Sequence, residues 1–84
     1  RLVLFPNPTD GQFTARANIS YCDSHVGVEL WDAKGAFVKQ LSAPHMQLAG
    51  SFDVEGAISD LAAGVYIVVL KGSNSAVSER LIKK

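Results

Sequence analysis

Cysteine is almost absent. Cys22 stands alone, so no internal disulfide can form and the fold must rest on its apolar core. Long hydrophobic runs are missing too. The longest, Val65 to Leu70, falls far short of the roughly 20 residues a membrane-spanning helix needs, so no such span is expected. There is no excess of charge of either sign. Eight basic and eight acidic side chains, spread along the chain, give a formal net charge of zero and no field that would draw nucleic acid, which is excluded as a partner. The chain begins with Arg1 rather than Met, and nothing near it resembles a signal peptide. The expectation is therefore a piece of a longer precursor.

What is present reads as a folded domain. Eighty-four residues suffice for one domain and leave no room for a separate catalytic half. A hydrophobic fraction of 48% against 19% charged lies well outside the regime of disordered chains. Apolar residues recur at every second position in short runs between turn residues, the pattern of half-buried antiparallel strands. Seven strands are predicted. The first, Leu2 to Phe5, is stopped by Pro6-Asn7-Pro8, since proline lacks an amide donor and holds the preceding residue extended; Asp10-Gly11 then turns the chain. The second, Gln12 to Ile19, directs Phe13, Ala15, Ala17 and Ile19 inward. The third follows the polar stretch Tyr21 to His25, with Val26, Val28 and Leu30 inward and Glu29 and Trp31 on the opposite face.

A turn at Asp32 to Gly35 leads to strand four, Ala36 to Leu41, in which either Phe37 or Val38 can face the core. Ser42 to Gly50 reads as a loop containing Pro44. Strand five then puts Phe52 and Val54 inward. Ala57 to Ala63 crosses over to Val65 to Leu70, an unbroken apolar run that suits a central strand. The last strand is predicted over Ala76 to Ile82, with Lys83 and Lys84 trailing from it. Ile58 to Ala63 is too short for more than one helical turn. This spacing favours an all-β, immunoglobulin-like, seven-stranded antiparallel sandwich with Greek-key topology. Leu61, Gly64 and Tyr66 have the spacing of a tyrosine corner, in which the phenol bonds to backbone a few residues upstream.

Chemistry is sparse. Cys22 and His25 have the spacing of half a zinc site, but no second pair follows and His45 stands apart, so they are read as loop residues and no metal or cofactor is expected. Cys22 with either histidine makes a poor nucleophile and base without a third, orienting group. Asp53 and Glu55 share a strand face and can in principle pair for acid–base work, but a solvated outer face accounts for them better. No catalytic residue is assigned. Trp31, Phe37 and Tyr21 remain candidates for an aromatic platform, which keeps open a non-catalytic accessory module that binds carbohydrate or protein beside a catalytic domain.

Four segments stand out when taken together: Phe5-Pro6-Asn7-Pro8-Thr9-Asp10-Gly11-Gln12-Phe13, Val28 to Gly35, Leu61-Ala62-Ala63-Gly64-Val65-Tyr66, and the basic terminus. In order and spacing they closely resemble the C-terminal sorting domain, type A, of the type IX (Por) secretion system of Bacteroidetes. The resemblance implies a secretion signal that follows a covalently linked cargo domain. It directs that cargo through the periplasm and outer membrane to the surface or medium, where a sortase commonly removes it and attaches the cargo.

Carried over to this chain, the resemblance points to Pro6, Asn7, Pro8, Gly11, Gly64 and Tyr66. Strand termination and the crossover staple account for these six structurally. It also points to the terminal segment Arg80, Leu81, Ile82, Lys83 and Lys84 as the part that translocon components grasp, by pairing with its backbone while acidic groups meet the lysines. Protection of an edge strand by charge is the alternative reading of those residues. Edge strands also leave dimerisation by strand pairing open.

Overall fold

In the computed structural model, which describes residues 1–84, the two-residue periodicity becomes seven strands and no helix. They are β1 (Leu2–Phe5), β2 (Gln12–Ile19), β3 (Asp23–Asp32), β4 (Phe37–Gln47), β5 (Gly50–Ala57), β6 (Gly64–Lys71) and β7 (Ala76–Lys83). The strands form two antiparallel sheets, β1-β2-β5 and β4-β3-β6-β7, packed as a sandwich. This order matches strands A-B-E and C′-C-F-G of an immunoglobulin fold.

Alternation puts Leu2, Leu4, Phe13, Ala15 and Ala17 of the smaller sheet against Val26, Val28, Leu30, Tyr66, Val68, Leu70 and Leu81 of the larger. Phe52 and Val54 pack at the margin of this core. As the unbroken apolar run predicts, β6 is central, paired with β3 on one side and β7 on the other.

Three boundaries differ from expectation. Strand β3 starts at Asp23, within the stretch read as a polar connection. Asp23 accepts hydrogen bonds from the Ser73 amide (3.0 Å) and hydroxyl (2.6 Å), which ties this strand end to the β6–β7 turn. Strand β4 continues to Gln47, so the predicted Ser42 to Gly50 loop shrinks to Leu48 and Ala49. Pro44 is tolerated because β4 lies at a sheet edge, where a missing amide donor costs no ladder bond. Repeated register shifts along β3 and β4 bring Val38 and Leu41, three apart, against the core while Phe37 faces out. Finally, β7 extends through Lys83, and the two lysines do not trail free.

The crossover from β5 to β6 contains no helix. It carries a core residue that alternation could not reveal: Ile58 is fully buried, and its amide donates to the Gly11 carbonyl at 2.6 Å.

Candidate functional site

The end of β1 builds an unusual turn. Pro6 and Pro8, both preceded by cis peptide bonds, cannot donate to a ladder, so the chain leaves the smaller sheet and crosses to the outer edge of β7. There the Asn7 side chain takes the place of a strand backbone. Its Nδ2 donates to the Arg80 carbonyl (2.8 Å), and its Oδ1 accepts from the Ile82 amide (2.9 Å). Thr9 continues the pairing with its main chain: its amide donates to the Ile82 carbonyl (2.8 Å) and its carbonyl accepts from the Lys84 amide (2.9 Å). The Thr9 side chain is fully buried. Its hydroxyl donates to the Gln12 carbonyl (2.6 Å) and accepts from the Gly11 amide (3.1 Å), which locks the turn. Gly11 has φ 147°, and a Cβ there would meet Ser59 at 2.8 Å, so only glycine fits.

The opposite side of the terminal segment is paired with β6, through Ile67↔Arg80, Tyr66↔Leu81, Val65↔Ile82 and Gly64↔Lys83. Gly64, at φ 154°, opens β6. Tyr66 completes the predicted tyrosine corner by donating its hydroxyl to the Ala62 carbonyl at 2.6 Å. Two motifs far apart in sequence, Pro6 to Gly11 and Gly64 to Tyr66, thus flank the third, Arg80 to Lys84.

This geometry corrects the expectation of an exposed tail that offers its backbone for pairing. The outward carbonyl of Arg80, both peptide groups of Ile82 and the amide of Lys84 are already bonded to Asn7 and Thr9. Pleating then sorts the side chains. Leu81 is fully buried in the core, and Lys83 is only 9% exposed. Arg80, Ile82 and Lys84 point outward, and the Lys84 ammonium lies 3.6 Å from Asp10. Sequence reasoning missed Thr9, whose partners in β7 lie more than 70 residues away and leave no local signal.

The remaining candidates are not brought together. Cys22 is exposed in the β2–β3 connection. The His25 ring pairs with the Ser24 hydroxyl, and His45 bonds to the Ala43 carbonyl (2.9 Å) and Gln47, contacts that raise its pKa, the carbonyl most. No three His, Cys, Asp or Glu side chains assemble as a metal site. Asp53 and Glu55 belong to a cross-strand ladder on the outer face of the smaller sheet. Arg16 forks onto Asp53 at 2.8 and 2.9 Å, and Thr14 bonds Glu55 at 3.0 Å. The Arg16 hydrogen bond holds the Asp53 carboxyl below the usual carboxylate range. Tyr21 sits at the opposite end of β3 from Trp31. The Trp31 and Phe37 rings meet edge to face at 81°, and the Trp31 indole is committed to Glu29 at 2.9 Å, so the three aromatics form no common platform.

No curated protein matches the chain. The family model described as the secretion system C-terminal sorting domain matches residues 3–84, and the chain belongs to that family of type IX sorting signals.

Proposed function

We propose that this chain is read by the translocon through the side chains of Arg80, Ile82 and Lys84, displayed from a terminal strand whose backbone is held on both edges. It acts by being bound, carries a covalently linked cargo across the outer membrane, and is then removed by a sortase that leaves the cargo on the cell surface. One observation carries the reading: the outward side chains of this segment stand on a rigid frame built by the Pro6–Gly11 turn and the tyrosine corner, while Leu81 and Lys83 are spent on packing. Pro6, Asn7, Pro8, Gly11, Gly64 and Tyr66 serve that frame and do not contact the translocon.

Deleting the terminal segment is an ambiguous test, because it removes Leu81 from the core and the partners of Asn7 and Thr9. The informative experiment exchanges only outward side chains. The full precursor carrying Arg80→Glu, Ile82→Ser and Lys84→Glu is produced in a host with a type IX machinery, and cargo is followed in periplasm, cell surface and medium. The expected result is a folded precursor retained in the periplasm. Normal arrival outside the cell would place the recognised surface elsewhere.

A further inference from the structure

The two outer faces of the sandwich are built on different terms. On the smaller sheet paired polar side chains, Asn18 with Ser51, Arg16 with Asp53 and Thr14 with Glu55, run along β2 and β5, and the half-exposed Val3 and Phe5 are confined to the β1 edge, where the Arg16 guanidinium lies over the Phe5 ring. The larger sheet differs. Register places Phe37, Trp31, Ile67 and Arg80 in one row across all four strands, with Val65 and Ile82 paired in the next row. Phe37 is 51% exposed, Val65 38% and Ile82 37%, although this is the face where the β6 run would lead one to expect cover.

We propose that this face docks a protein component of the secretion machinery that presents an apolar ridge ending in a carboxylate. The inference rests on the sorting reading above and extends it from three terminal side chains to a composite surface. Continuity supports this occupant, because Arg80 and Ile82 belong both to the row and to the terminal segment. Charge supports it as well. On this face Glu29 is ion-paired with Lys71 at 3.7 Å and accepts a hydrogen bond from the Trp31 indole, whereas Arg80 takes part in none of the ion pairs and is left as the one cation at the end of an apolar row. Four strands at ordinary spacing make the row about 14 Å wide, the scale of a protein contact rather than of a small ligand.

The test replaces Phe37 with Ser and Val65 with Thr in the full precursor, both at exposed positions, verifies by circular dichroism of the purified precursor that the fold is kept, and follows export in the same host. A parallel precursor carries a photo-crosslinking amino acid in place of Phe37 and is irradiated during export. The expected results are a fall of about tenfold or more in cargo outside the cell, the effect of losing exposed apolar anchors, and an adduct with a component of the machinery. Unchanged export, no adduct, or an adduct only with a second copy of this chain overturns the proposal. Should the Phe37 and Val65 variant export normally while the Arg80, Ile82 and Lys84 variant is trapped, the docking face fails and the terminal signal stands. If both export normally, both readings fail.

Discussion

Asn7 contributes to the fold as an imitation of backbone. A side-chain amide sets an N–H donor beside a carbonyl acceptor on one planar group, the same pair a strand presents, and here both meet the β7 edge between two prolines that have no amide to offer. Asn7→Ala is expected to cost about 1–2 kcal/mol in urea denaturation and to speed hydrogen exchange at the Ile82 amide. Asn7→Asp keeps the acceptor for Ile82 but sets a carboxylate oxygen against the Arg80 carbonyl, so it should be no better tolerated than alanine. Unaltered exchange at Ile82 in the alanine variant would show that Thr9 alone holds the edge. Asn7 was legible in the sequence as part of a turn, because prolines and Asp-Gly announce one locally. That its amide closes on Arg80 and Ile82 was not legible, since the partner is supplied by the other end of the chain.

Within β7, alternate residues do different work. Leu81 faces the core, so Leu81→Ala should destabilise by about 3 kcal/mol, the cavity and transfer cost of a buried leucine. Arg80→Ala, on the neighbouring outward position, should fall within about 0.5 kcal/mol. Chemical denaturation of the two variants checks the contrast, and equal losses would refute the assigned facing of the strand. Strands with clean alternation, such as Phe13, Ala15 and Ala17 in β2, could be read from sequence because burial on one face leaves a period of two. Strand β4 resisted for a physical reason. As an edge strand with several register shifts it needs neither strict alternation nor a full set of amide donors, so Pro44 read as a loop signal although the ladder runs past it. Ile58 was hidden for the opposite reason, being a core residue on a crossover that has no period at all.

For the molecule as a whole, acid is the expected weakness. Asp23, chiefly through the Ser73 hydroxyl, and Asp53, chiefly through Arg16, both titrate below the ordinary value of 3.8. A carboxyl with a lowered folded pKa contributes stability that is present above its unfolded pKa and is lost as pH falls through the folded one. His45 has the opposite sign: its pKa is raised above 6.5, so its contribution is full below that value and fades as pH rises through the folded pKa. Thermal melts should therefore show a plateau between about pH 4 and 6.5, a fall on the acid side and a shallower one on the alkaline side. Asp23→Asn should flatten the acid limb, and an unchanged limb would shift the assignment to other carboxylates. The clamp at Asn7 and Thr9 has a further consequence at this scale. The frame of the terminal strand is assembled from residues 7 and 9 and residues 80 to 84, so it exists only once the first turn and the last strand of the chain have met. On the reading proposed above, a nicked or misfolded copy keeps the same letters at its end but loses the frame that displays them, and the expected outcome is that such copies are not exported.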